Sequence, residues 1–287
     1  MRIAITATVI IFFTTLSAIS CKPRPTPGFN EQQAYQYVEH QISLGPRTVG
    51  SEAHRQFIEW VMEEFDRAGW LVESDVLKFS EITVNNIIAK RNSENPHIIL
   101  GAHYDSRLFA DQDPDPNMRR HPVLGANDGA SGVAVLLELA WDIPTDLEKN
   151  IWIVLFDAED NGNIPGWDWI LGSRGFVGRL TTQPEAVIIV DMIGDADLNI
   201  YKEINSNAHL TNEIWNIANE LEYPQFLPEY KYEIIDDHIP FIEEGIPAID
   251  IIDFDYPYWH TMSDTLDKVS MESLDVVGET LLAWLNK

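Results

Sequence analysis

His97-Ile-Ile-Leu-Gly-Ala-His-Tyr-Asp-Ser106 is an apolar run that ends abruptly in a histidine and an aspartate. A short continuous apolar run bounded by polar residues reads as a buried strand. Strands buried on both faces belong to mostly parallel sheets covered by helices. The flanking sequence repeats this alternation. Asp128–Trp141 reads as a helix opened by a glycine-rich turn, and Asn150–Phe156 and Ala186–Val190 read as further buried strands. Upstream, Glu31–Leu44 and Ser51–Ala68 carry apolar residues at helical spacing, with Gly69 as a stop, and Leu71–Phe79 and Asn86–Ala89 read as strands. Downstream come helices near Thr211–Leu221 and Ile239–Glu244, a strand at Ala248–Ile252 and a last helix at Met271–Leu285. The alternation predicts an α/β fold: three layers, α/β/α, around a mixed, mostly parallel sheet. Leu108–Pro122, rich in Asp, Pro and Arg, reads as a surface loop.

The 287 residues are 45% hydrophobic and include 9 Trp, 9 Tyr and 12 Phe, enough for a large core and too many for a disordered chain. A net charge of −27 repels phosphate backbones, so nucleic acid is excluded as a general partner. The single cysteine, Cys21, excludes an internal disulfide and a thiolate zinc site. It follows an uncharged apolar stretch behind Arg2, and Leu16-Ser-Ala-Ile-Ser-Cys21 resembles a bacterial lipobox. Residues 1–20 are therefore expected to be a signal peptide, 21–30 a lipidated tether and 31–287 one catalytic domain. An uncleaved membrane anchor and simple secretion are the alternatives. All three place the domain outside the cytoplasm, with a lipid as its link to the membrane in the first.

Titratable residues recur where strands end, which is where sites form in such sheets. His103 and Asp105 follow one strand, Asp157, Glu159 and Asp160 the next, and Asp191 and Asp195 a third; Asp128 opens a helix and His260 follows the last strand. Singly, an Asp there is more often a cap or a turn, and a His more often a satisfied core group. Together, so many carboxylates would repel one another unless a cation neutralised them. Carboxylate mixed with imidazole, without thiolate, fits catalytic Zn²⁺ with an open coordination position.

From about Leu44 onward the chain resembles the zinc exopeptidase superfamily, which includes two-zinc aminopeptidases and single-zinc glutaminyl cyclases. The resemblance rests on Leu44-Gly-Pro-Arg-Thr-Val-Gly-Ser51, Gly101-Ala-His-Tyr-Asp-Ser-Arg107, Gly172-Ser-Arg-Gly-Phe176, Asp236-Asp-His-Ile-Pro-Phe241 and Trp259-His-Thr-Met-Ser-Asp-Thr265, together with Asn86-Ile-Ile-Ala89. It implies that Asp128, Asp160 and His260 hold a zinc, that His103 and Asp191 are the further ligands of a second metal in the peptidases, and that Glu159 is the general acid/base. Asp105 corresponds to the carboxylate that orients His103. The pair after the strand is Glu159-Asp160 where both branches carry two glutamates, so the metal carboxylate is one methylene shorter. Asp236 and Trp259 are similar to the cyclase branch. There the matching Asp pairs with the carboxylate at Asp191, leaving one zinc rather than two, and the indole lines a pocket for the glutamine side chain. Trp167 and Trp169 lie in the loop after Glu159, where cyclases place a further pocket tryptophan. The expected activity is conversion of N-terminal glutamine of peptides to pyroglutamate. The alternatives are a two-zinc aminopeptidase and a silent peptide-binding ectodomain.

Overall fold

The structure, a computed structural model, describes residues 28–287. The expected signal peptide, Cys21 and most of the tether lie outside the described residues. Asn30 accepts the Gln33 amide hydrogen to cap α1 (Glu31–Ser43), and Ser51 caps α2 (Glu52–Arg67) through His54. The chain continues through β1 (Leu71–Phe79), β2 (Ile82–Lys90), β3 (Ile98–His103), α3 (Ala130–Asp142), β4 (Ile151–Phe156), α4 (Leu171–Val177) and β5 (Ala186–Asp191). It ends with β6 (Ile200–Lys202), α5 (Ala208–Glu220), β7 (Phe226–Tyr230), α6 (Ile239–Glu243), β8 (Ala248–Ile252) and α7 (Met271–Leu285).

Six strands form one sheet in the order β1-β2-β4-β3-β5-β8. The β1–β2 and β2–β4 pairs are antiparallel, and β4–β3, β3–β5 and β5–β8 are parallel. Successive residues of the central strands supply opposite faces. Leu100, Ala102, Leu155, Ile188, Val190 and Ile251 join the larger core beneath α1, α2, α3, α5 and α7. Ile99, Val154, Phe156, Val187 and Ile189 join the smaller one beneath α4 and α6. Each fully buried Ile or Leu contributes about 1.5–3 kcal/mol relative to exposure. These positions thus set the register that brings His103 and Asp191 to the same edge of the sheet.

The mixed three-layer sheet is as the sequence predicts; four details differ. The α3 helix begins at Ala130, two residues after Asp128, because Gly129 turns the chain at φ +96° and a Cβ there would lie 2.8 Å from the Asp105 carbonyl. Asp128 therefore precedes the helix and does not cap it. Phe29 and Asn30, expected to end the tether, are docked in the domain. Phe29 is buried against Gly278, and its N–H donates to Glu279 Oε1 at 2.7 Å. The α4, β6 and β7 elements had no legible signal, being seven, three and five residues long. The segment read as a surface loop has buried members, Ala110 and Asp113, and is tied to the His260 turn by the Asp113 side chain and the Gln112 amide.

Candidate active site

Two groups of buried side chains meet at the carboxyl edge of β3, β4 and β5, sharing Asp128. One is His103, Asp128 and Asp191; the other is Asp128, Asp160 and His260; in each, the ligand atoms lie within 4.8 Å of one another. His103 Nε2 is 3.0 Å from Asp191 Oδ1 and 3.2 Å from Asp128 Oδ1. His260 Nε2 is 2.8 Å from Asp160 Oδ1 and 3.8 Å from Asp128 Oδ2. The shorter Asp160 side chain thus reaches the cluster. The close His260–Asp160 pair is misaligned for a hydrogen bond, and both Asp160 oxygens and Asp128 Oδ2 are buried without one. Orphaned buried carboxylate oxygens are costly unless a charge partner serves them, and two such carboxylates with an imidazole around one space fit a Zn²⁺ ion. None of the three caps a helix.

The electrostatics agree. Burial raises the Asp160 pKa to about 6, helped by Asp128 and opposed by His260. Burial likewise lifts Asp191 to about 7, against the pull of His103. Burial disfavours charge on His260, yet Asp160, Asp111 and Asp128 raise its pKa to about 9. Metal ligands must be deprotonated, so a cation bound here would compete with protons for these groups. Glu159 is pushed well above the usual carboxylate range, first by burial and then by Asp236. Ala158, Met192 and His260 all adopt positive φ, at +57°, +47° and +55°. Such strain, about 1–3 kcal/mol each, is concentrated in the turns that aim Glu159, Asp191 and His260.

Several supports were not legible from composition or spacing. Arg47, fully buried in the Leu-Gly-Pro-Arg motif, donates to the carbonyls of Tyr104, Leu124 and Gly125 and so braces the loops carrying Asp105 and Asp128. Asp264 accepts the amide hydrogens of Asn127 and Asp128 at 2.8 and 3.2 Å. Arg107 donates to the carbonyls of Asp160 and Gly162 and pairs with Asp111, whose Oδ1 is 3.4 Å from His260 Nδ1. Asp111 thus sets a negative charge beside the far nitrogen and favours the charged form of the ring. Asp105, expected to orient His103, lies 3.7 Å from its Nδ1, beyond hydrogen-bonding distance. Its hydrogen bonds instead hold the Glu159 and Asp160 amides and the Asn161 side chain. Asp157 binds His54 and the Asn85 amide, and Asp195 pairs with Val269, so both are structural.

A cavity of about 250 Å³ opens onto Glu159, Asp160 and His260, walled by Trp169, Trp259, Phe254, Ile235 and Met192. The Trp259 ring stacks on His260 with centroids 3.7 Å apart, and Trp169 lies parallel to the same imidazole at 6.1 Å. Gly162 makes room for Trp169, because a Cβ there would fall 2.0 Å from the indole. Of the two tryptophans offered by the loop after Glu159, Trp169 lines the pocket and Trp167 does not. Trp167 packs with Leu77, Val84, Ala158 and Leu171 under β1 and β2, because the turn at Gly166 and the left-handed Ile170 point the two indoles apart. Trp167→Ala is expected to cost about 3 kcal/mol of stability with KM unchanged, and Trp169→Ala to raise KM with a smaller change in melting; steady-state kinetics and thermal denaturation read both.

Asp236 also reaches the cavity, buried on the loop before α6. It does not cap α6, whose N-cap is His238. The expected hydrogen-bonded partnership with Asp191 is not the one found. Asp191 turns to His103, and Asp236 accepts the amide hydrogen of Asp237 while adding to the charge around Asp191. The reason is that His103, one strand over, offers Asp191 a better-matched donor than a second carboxylate does.

A buried carboxylate–imidazole cluster at the carboxyl edge of a mostly parallel, helix-covered sheet defines a metal-dependent α/β enzyme. Residues 86–285 match peptidase family M28, and the chain belongs to that family. It is similar to the glutaminyl cyclase of Porphyromonas gingivalis, with a TM-score of 0.86 and 32% identity over 91% of this chain and 99% of that one. A Zn-dependent exopeptidase from Parabacteroides distasonis is equally alike, with a TM-score of 0.85 and 32% identity over 91% and 99%. The glutaminyl-peptide cyclotransferase of Gloydius blomhoffii is 26% identical over 95% of this chain and 86% of its own length.

Proposed function

We propose that this protein is a zinc-dependent glutaminyl-peptide cyclotransferase that converts N-terminal glutamine of peptides to pyroglutamate with release of ammonia. The observation that carries the reading is the cavity beside Glu159, whose wall sets Trp169 and Trp259 against His260 and offers flat aromatic surface to an amide. Cyclotransferases among its relatives support it. Asp128, Asp160 and His260 are the residues that would hold the zinc. Bound there, the ion supplies a Lewis acid for the γ-amide carbonyl.

The chain's own groups do the rest. The two indoles fix the amide plane so that the α-amine meets the γ-carbon, and intramolecular ring closure makes that positioning effective. Glu159, its carboxyl raised by burial, takes the proton the attacking amine loses and returns one to the departing ammonia. Asp236 and Asp191 accept hydrogen bonds from the leaving amide and the amine. Trp259→Ala is therefore expected to keep zinc and slow ammonia release; an unchanged rate on a glutamine-initiated peptide would remove the aromatic wall from the account.

One observation favours a second reading. His103, Asp128 and Asp191 are also spaced for a cation, as a two-metal aminopeptidase requires. There Glu159 would activate water for hydrolysis of the first peptide bond. About one zinc per chain supports the cyclase, and two support the peptidase.

The lone Cys21 after the apolar N-terminal stretch supports attachment outside the cytoplasm through a lipid. No helix among the described residues is long and apolar enough to cross a membrane. Cys21→Ser is expected to move the protein from the detergent phase to the aqueous phase; unchanged partition would favour an uncleaved anchor.

A further inference from the structure

The wall of the active-site cavity carries six carboxylates and one imidazole, with no lysine or arginine. Five of the carboxylates, Asp128, Glu159, Asp160, Asp191 and Asp236, are buried in the centre described above. The sixth, Glu233, is exposed at the rim. It makes no hydrogen bond and no ion pair among the described residues. The nearest basic residue in sequence, Lys231, is already committed to both Asp255 oxygens at 2.7 Å.

The backbone around Glu233 is anchored on both sides. The Tyr232 carbonyl accepts the Ile204 amide hydrogen at 2.8 Å, and the Ile234 N–H donates to Glu203 Oε1 at 3.1 Å. Glu203 in turn is buried and holds the Asn205 and Ser206 amides and His238. The uncommitted carboxylate is thus presented from a fixed stretch of chain, beside the apolar Ile235, at the cavity mouth. A peptide whose first residue fills the cavity must send its second residue out past this rim.

Resting on the cyclotransferase reading, we propose that Glu233 selects peptides with a lysine or arginine directly after the N-terminal glutamine. An unpaired carboxylate at the exit attracts a cationic side chain and repels an acidic one, and the net charge of −27 adds a field of the same sign. A single exposed pair of this kind is worth about a 1.5- to 5-fold change in affinity. The selection falls on KM, because the second residue does not touch the reacting atoms.

The test compares kcat/KM for Gln-Lys, Gln-Ala and Gln-Glu peptides of otherwise identical sequence, at low and high salt. The expected order is Lys over Ala over Glu, with the Lys/Ala ratio about 2–5 at low salt and shrinking as salt rises. In Glu233→Gln the Lys/Glu ratio should fall towards one, and in Glu233→Lys it should invert. Cyclisation of all three peptides at equal efficiency overturns the inference and leaves the cyclase reading standing. A preference that survives both substitutions also overturns it, assigning the selection to the general field. Absence of cyclisation of any glutamine peptide by the wild-type enzyme sinks the underlying function instead.

Discussion

Replacing Glu159 by glutamine is expected to leave the fold and the bound zinc intact and to lower kcat by about a hundredfold or more. The substitution keeps side-chain volume and the amide hydrogen bond to Asp105, so the turn carrying Asp160 is undisturbed. What disappears is a group that can hold a proton between two steps, and such groups contribute about 10²–10⁴-fold. The buried position matters: a carboxyl whose pKa is raised by burial and by Asp236 accepts a proton readily and releases it to ammonia. Zinc content measured beside steady-state turnover checks the result. More than about a tenth of wild-type turnover would remove Glu159 from the proton transfer.

The second large effect belongs to His260. His260→Ala is expected to release zinc and abolish turnover together, because a site with three protein ligands cannot hold a catalytic ion well with two. The backbone at this position is left-handed, with φ +55°, so loss of the ring could be confused with relief or increase of strain. His260→Asn separates the two, since asparagine tolerates that conformation; it should also lose zinc. His103→Ala is the contrasting variant. If one zinc is held by Asp128, Asp160 and His260, its zinc content stays near wild type. Loss of half the metal on removing His103 would support the two-metal peptidase.

The sheet and the cluster were legible because they are carried by long signals. Buried strands such as Ile98–His103 and Ile151–Phe156 are apolar throughout, and their last residues fall at one edge of a parallel sheet. His103, Asp128, Asp160, Asp191 and His260 therefore converge as expected. What sequence could not yield depended on loop paths. Whether Trp167 or Trp169 faces His260 turns on Gly166 and Ile170, whose positive φ values carry no periodic mark. Asp111 reaches His260 only because its loop is tied back through Asp113 to Met262. That Asp191 faces His103 and Asp236 holds the Asp237 amide likewise depends on the loop before α6, which carries no periodic mark. Arg47 and Asp264 lie in recognisable motifs, but their task of bracing the Asp128 loop arises only from the three-dimensional path of the chain.

The measurement that bears most directly on the central claim is the mass of the product formed from two matched peptides, one beginning with glutamine and one with leucine. The account predicts that the glutamine peptide loses one ammonia and no free amino acid appears. The leucine peptide should remain intact, because leucine offers its own amine no internal electrophile. Free leucine released from the control, with no pyroglutamyl product from the glutamine peptide, would contradict the account and make this chain an aminopeptidase.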